Sequence, residues 1–413
     1  MIGGLGELQL AGVGAANQIT MLLDICMFGV MSAAGVFMAQ HWGRKEIAGF
    51  RSAMGLSVMT GSVITALFFI GTQIFPSELI SLFSKDPAVI GYGVKYIRLA
   101  SFGYILRIIV FVYGTALKSC AKPLLPMISG AAALFVNAFL NYCLIFGNFG
   151  FPALGIDGAA IATLTGSALD AFVLLIFSYT MRMPSAAKPA ELMNQSRQGF
   201  IRFLGVFVPV FLNDMIWALG ISLQNLLIAQ MGTDSFAAMM IVNTVDRLAF
   251  VLLIGIGTAC AVMIGHTVGA GEPEKAMLYS KRFLFLSASA GAVLGALVLS
   301  AGIFIPELYN VSESVRLLAK DTIFVLGFAM VTYGINFTII IGILRSGGDA
   351  RAAAIIDIVP LWLLSLPAVA VTGLILRLPL PVVYLSMIPS NIVRLVWGLH
   401  RARSGGWMHS LSL

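Results

Sequence analysis

Apolar residues run along this chain in long blocks, and polar residues are confined to the short gaps between them. Each block is about 20 residues or more, the length an α-helix needs to cross a bilayer. The pattern predicts helices over roughly 10–40, 47–75, 88–116, 123–147 and 157–181. It then predicts roughly 200–231, 235–268, 276–305, 314–343, 352–375 and 380–400. The runs are continuous and lack the short alternation of a membrane β-barrel strand. Between the fifth and sixth lies a polar connector with Pro184, Pro189 and mixed charge. The expected class is an all-α polytopic membrane protein of two pseudo-symmetric helical bundles. Its expected divisions are an N-terminal bundle at 1–182, a connector at 183–198 and a C-terminal bundle at 199–413.

The longest block occurs twice. Ala237 to Gly269 falls on Ala11 to Gly43 at an offset of 226, with Asn243 on Asn17, Gly255 on Gly29, Ala259 on Ala33 and Val262 on Val36. Gly232 and Glu272 extend the register to Gly6 and Glu46. Leu344-Arg345-Ser346 repeats Leu117-Lys118-Ser119 at nearly the same offset. One register held this far implies a duplicated bundle. Five helices precede the connector and six follow it, so the partner of 200–231 would begin before residue 1. The duplication therefore predicts a parent of twelve helices, of which this sequence lacks the first.

Composition strengthens this picture. Apolar residues are 59% of 413 and charged residues 10%, with a mean hydropathy of +0.97. A soluble chain would carry about 25% charge. The net charge of +7 needs no nucleic acid, because Lys and Arg gather in alternate loops. One set of loops holds Arg44, Lys45, Arg51, Lys118, Lys122, Lys275, Lys281, Arg282, Arg345 and Arg351, and shares its side with Arg401 and Arg403 of the tail. The opposite set holds mainly Lys85, Lys95, Arg98, Arg316, Lys320 and Arg377. The positive-inside bias makes the first set, the connector and the C-terminus cytoplasmic. Cys26, Cys120, Cys143 and Cys260 lie in or beside apolar runs without ligand spacing and read as small core residues. No phosphate loop, HExxH or nucleophile elbow is present, so an ATP-driven pump or a hydrolase is not indicated.

The candidate chemistry is polar groups inside the helices, because a charge at bilayer depth is costly and tends to mark an ion or substrate path. Asp24 shares a helical face with Asn17 and Thr20, and the second copy places Asn243 and Asp246 three apart on one face. Arg247, beside Asp246, could neutralise it. Asn213-Asp214 follows Pro209, and Asp214 lies three before Trp217; a carboxylate and an indole on one face suit an organic cation. Asp357 precedes Pro360 and Trp362, Asp170 lies in GSALDAF, and Asn137 and Asn141 stand four apart. The expected ion-coupling set is Asp24, Asp214, Asp246, Asp357, Asn137, Asn141 and Asp170. The expected substrate set is Asn17, Asn213, Trp217 and Asn243. Arg107 and Arg394 read as pairing partners or snorkelling residues rather than sites.

The stretches LAGVGAANQI, GHTVGAGEPEKA with its counterpart AQHWGRKEIAGF, GILRSGGDAR, VNAFLNYCLIFG and the closing RSGGW carry a resemblance. Across nearly its whole length the chain resembles the multidrug and toxic compound extrusion (MATE) family. The resemblance implies two six-helix bundles facing each other in a V, and export of drugs in exchange for Na+ or H+ with no other cofactor. It implies small-molecule drugs or toxic metabolites as partners, a monomer in the lipid bilayer, and the plasma membrane as location. Many members carry Asn and Asp four apart in the helix at 123–147; here Asn137 and Asn141 stand there, and an amide cannot release a proton. Coupling is therefore expected to rest more on the second bundle. A lipid-linked oligosaccharide flippase of similar fold, which would need a cationic cavity for diphosphate, and an inactive truncated member stay open as alternatives.

Overall fold

The computed structural model describes residues 2–193 and 195–411. Those residues are helical without strands, and ten helices are long and apolar enough to cross a membrane, or eleven if one bent pair counts as a span. The first five spans are α1 (Glu7–Gly43), α2 (Ile47–Ile74), the pair α3 (Pro87–Ala100) and α4 (Gly103–Ser119), α5 (Leu124–Phe146) and α6 (Ile156–Thr180). A short helix, α7 (Pro189–Met193), occupies the connector. The later six are α8 (Arg197–Gln230), α9 (Thr233–Gly269), α10 (Pro273–Phe304), α11 (Glu313–Phe337), α12 (Ala350–Pro360), and the pair α13 (Leu380–Leu385) and α14 (Ile388–Arg403). Every predicted span is present. The one expected at 88–116 is bent by 53° between α3 and α4.

The chain divides into two compact units. One holds the described residues up to Phe207 and the other is Val208–Leu411, so the division falls inside α8, beyond the connector. The connector is docked rather than free. Arg51 of α2 binds both Glu191 oxygens at 2.8 and 3.0 Å and donates to the carbonyls of Ala186 and Pro184. Ser52 donates to Gln195 at 2.5 Å.

The duplication is visible atom by atom. α1 and α9 have 37 residues each, and their bounds coincide in the sequence register. Each opens on a glycine of nearly identical backbone, Gly6 at φ 127° and Gly232 at φ 128°. Each closes on the same left-handed turn. Lys45 and Glu46 donate to the carbonyls of Trp42 and His41, and Gly271 and Glu272 donate to those of Val268 and Thr267. This paired pattern satisfies carbonyls that the helix end leaves open. The turns after α4 and α11 repeat it. Ala121 and Lys122 donate to Lys118 and Leu117, and Gly348 and Asp349 donate to Arg345 and Leu344.

In the first unit Val13, Ala16, Ile19, Ile97, Ile145 and Ala160 form one buried cluster. The second unit has two. Ile228, Val242, Leu253, Ile323, Leu326 and Val383 make one, and Cys260, Ile264, Ile339, Ile343, Ile356 and Trp407 make the other. Small residues let the helices approach: a side chain on Gly291 of α10 would begin 2.8 Å from the Met330 carbonyl oxygen of α11. Cys120, Cys143 and Cys260 are buried as free thiols, and Cys26 is half-buried. Two spans loosen to π-helix. α11 continues as a π-segment through Thr338–Arg345, and α12 continues past Pro360 through π-turns at Leu361–Ser365 and Ala370–Ile375. Proline explains the second, since it removes the bond its N–H would make. π-Segments recur at functional sites because they re-aim side chains.

Candidate functional site

The second unit brings two acids and two arginines together where four helices meet. α8 supplies Asn213 and Asp214, α12 supplies Asp357, the π-end of α11 supplies Arg345, and α14 supplies Arg394. Arg345 Nη2 donates to Asp214 Oδ1 at 2.6 Å, with the side chains 3% and 13% exposed. Arg394 Nη1 lies 3.3 Å from Asp357 Oδ1, and its Nη2 donates to the Asp357 carbonyl at 3.0 Å. Asn213 bridges the pairs, its Nδ2 3.2 Å from Asp357 Oδ2 and 3.4 Å from Asp214 Oδ1. Trp362 fixes the α8–α12 approach by donating from Nε1 to the Ile216 carbonyl at 3.2 Å. Two acids and two arginines balance in charge, yet Asp214 Oδ2, Asn213 Oδ1 and Arg394 Nε are buried without hydrogen bonds. Breaking one such buried pair costs about 3–5 kcal/mol, because the remaining charge is stranded.

Asp246 of α9 stands apart. Its Oδ1 is buried and accepts no hydrogen bond. Around it lie Tyr333 of α11 and Tyr384 of α13, whose hydroxyls are 3.4 Å apart. Tyr333 also engages Asn391, whose carbonyl accepts from Asn336 Nδ2 at 3.0 Å. Arg247, which the sequence offered as a neutralising neighbour, makes no direct contact with the Asp246 carboxylate. It is exposed, because a residue's immediate neighbour lies about 100° around the helix, and no ion pair among the described residues joins the two.

The first unit is sparser. Asp24 pairs with Arg107 of α4, and the two side chains are 38% and 27% exposed. Thr20 meets the Tyr104 hydroxyl at 3.0 Å, while Asn17 is exposed. Asn141 Nδ2 donates to Asn137 Oδ1 at 3.1 Å, leaving Asn141 Oδ1 buried and unbonded. Asp170 of α6 accepts from the Ser129 hydroxyl of α5.

The structure thus brings Asn213, Asp214 and Asp357 together. In the other unit Asp24 pairs with Arg107, while Asp170 and Asn137 both lie where α5 packs on α6, Asn137 against Gly166 one turn before Asp170. Asn243 is half-buried one turn before Asp246. Trp217 is 40% exposed, and Asp214 has Arg345 for its partner, so the carboxylate is not free to face an organic cation alone. Arg107 and Arg394 are pairing residues, as expected. Arg345 modifies the loop assignment: it is the last residue of the π-segment that extends α11, and it is buried against Asp214 where the turn begins. The available signal was the apolar run IIIGIL, which reaches Arg345 without a break. Tyr333, Asn336, Tyr384 and Asn391 gave no signal in sequence, since they come from three elements.

Over residues 1–143 and 209–371 the chain matches the MatE family model, one stretch at each side of the connector. The chain belongs to the MATE family of membrane transporters. It is 24% identical over 403 residues to the probable multidrug resistance protein NorM of Thermotoga maritima, covering 96% of this chain and 85% of that one. It is 25% identical over 391 residues to the multidrug resistance protein MdtK of Edwardsiella ictaluri, covering 92% and 82%. Among solved structures it is similar to a MATE protein in the straight conformation, with TM-score 0.88 and 16% identity over 98% of this chain and 90% of that one. A MOP superfamily transporter from Pyrococcus furiosus is similar at TM-score 0.87, 16% identity and the same coverage. As a MATE transporter the chain is an integral membrane protein, and its buried carboxylates stand inside bilayer-spanning helices.

Proposed function

We propose that this transporter exports small organic compounds, often cationic and aromatic, in exchange for Na+ or H+. Relatives named multidrug resistance proteins support the substrate class. The observation that carries the coupling is the pairing pattern in the second unit: among the described residues Asp214 and Asp357 each form an ion pair with an arginine, and Asp246 forms none. An ionised carboxylate in an apolar surround costs several kcal/mol unless something neutralises it. Asp246 is therefore the group that an inward-moving cation or proton loads, with Tyr333 and Tyr384 as its neighbours. Asp214 and Asp357, already neutralised by Arg345 and Arg394, act as the polar frame that loading disturbs. Loading drives transport only if the acid holds its ion more tightly in one state than in the other.

The chain works as a monomer in the plasma membrane with its C-terminus in the cytoplasm, and the coupling ion is its only cofactor. The flippase alternative asks for a free cationic surface for diphosphate; Arg107, Arg345 and Arg394 each face an aspartate instead. The test is ethidium export from cells making Asp246→Asn and Asp214→Asn. Asp246→Asn is expected to abolish gradient-driven export while the protein accumulates normally. Unchanged export in Asp246→Asn would remove that acid from the mechanism, and unchanged export in Asp214→Asn would remove the frame.

A further inference from the structure

Two sequence stretches, ILRSGGD and the closing RSGGW, meet in the fold. The turn after α11 consists of Arg345, Ser346, Gly347, Gly348 and Asp349, and Asp349 then caps α12 through the Ala352 N–H at 3.4 Å. The C-terminal tail folds back over that turn. Trp407 is fully buried, and its ring lies so close to Gly347 that a Cβ there would sit 2.2 Å from it. The indole is held by its Nε1 donating to the Ala402 carbonyl at 2.8 Å. The His409 N–H donates to the Gly347 carbonyl at 2.7 Å. Arg401 Nε donates to Asp349 Oδ2 at 2.7 Å, and Nη2 of the same arginine reaches the Gly406 carbonyl at 2.8 Å. Gly348 takes φ 97°, where a side chain would strain the backbone and strike the His409 carbonyl.

What the turn presents is Arg345, the buried partner of Asp214. In the repeated turn of the first bundle the same position is Lys118, which is exposed. The same backbone turn therefore does not by itself bury the basic residue. We propose that residues 401–409 form a clasp that holds the Arg345 turn and so positions Arg345 against Asp214. Trp407 and Arg401 are positioning residues that act through Arg345 and touch neither ion nor drug. The inference rests on the export reading for its effect on transport, but not for the clasp itself.

Two measurements on the full chain test it. The first is hydrogen exchange of the amides at 345–353, which needs no transport. Trp407→Ala is expected to speed exchange across that turn, and Trp407→Phe to keep it protected. The second is the pH profile of ethidium export in Trp407→Ala, Arg345→Gln and the double variant. Each single change is expected to displace the profile in the same sense by about one pH unit. The double variant is expected to match Arg345→Gln alone, because residues acting through one contact are not additive. Unaltered exchange in Trp407→Ala overturns the clasp, as do additive shifts in the double variant. Absence of export in the unmodified protein defeats the export reading and leaves the exchange result to decide the clasp.

Discussion

In the first bundle the residue that closes α1 is Lys45, at φ 61°; in the second the residue that closes α9 is Gly271, at φ 72°. After α4 it is Ala121 at φ 57°, and after α11 it is Gly348 at φ 97°. The copies keep the same hydrogen bonds, but the second meets the left-handed requirement with glycine and the first with residues that pay a steric penalty there of about 1–2 kcal/mol. Charge differs in the same direction. Inside the spans the second bundle encloses Asp214–Arg345 and Asp357–Arg394 and leaves Asp246 Oδ1 without a hydrogen bond, whereas the first holds the more exposed pair Asp24–Arg107 and bonds Asp170 to the Ser129 hydroxyl. A duplicated backbone can thus persist while its two copies come to hold very different electrostatic contents.

The comparison breaks or sharpens under substitution. The largest effect is expected from Arg345→Ala, which strands a buried carboxylate and should lower stability by about 3–5 kcal/mol. Arg107→Ala in the first bundle should cost less, because Asp24 is 38% exposed and less enclosed than Asp214. Thermal unfolding of purified protein measures both, and equal losses would end the distinction between the bundles. Next, Gly291→Ala places a carbon against the α11 backbone and should cost about 1–3 kcal/mol, again read by thermal unfolding.

A smaller gain is expected from Lys45→Gly or Ala121→Gly. Each relieves the turn, less the entropy that glycine adds to the unfolded chain, for a net of about 0.5–1 kcal/mol. Lower melting temperatures in both would show that the turns of the first bundle are not strained. The smallest effect concerns Glu46, outside the spans, whose carboxyl is held below the usual range by its hydrogen bond with His41 at 2.8 Å. A carboxyl depressed in the fold stabilises above its unfolded value, about 4.3, and that contribution fades as pH falls through the folded value. The melting curve of Glu46→Gln should therefore fall slightly below the parent at neutral pH and meet it in acid. A constant difference at every pH would dissociate Glu46 from titration.

Much of this was legible in one dimension. Eleven predicted spans appear within a few residues of their expected bounds, because bilayer-length apolar runs have no other stable state in lipid. The duplication read from Asn17 and Asn243 reappears as matched caps, because a cap is set by residues within one turn of it. The candidate site was legible only in part. Asp214, Asp246 and Asp357 stand out in the sequence as acids at depth, but the spacing puts Arg345 in a loop and Trp217 beside Asp214, and gives no sign that Arg345 and Asp214 meet. Spacing along one helix says which residues share a face; it does not say which other helix that face meets.

The sequence by itself determined that this is a helical membrane protein of repeated design, since hydrophobic length and local turn chemistry are properties of neighbouring residues. Only the tertiary structure decided which acids meet an arginine from another helix. That outcome depends on contacts across 131 residues between Asp214 and Arg345 and on a tail folded over a turn that lies far from it in the chain. Electrostatic partnership inside a bilayer is a matter of ångströms between helices, and no periodicity in one helix encodes it.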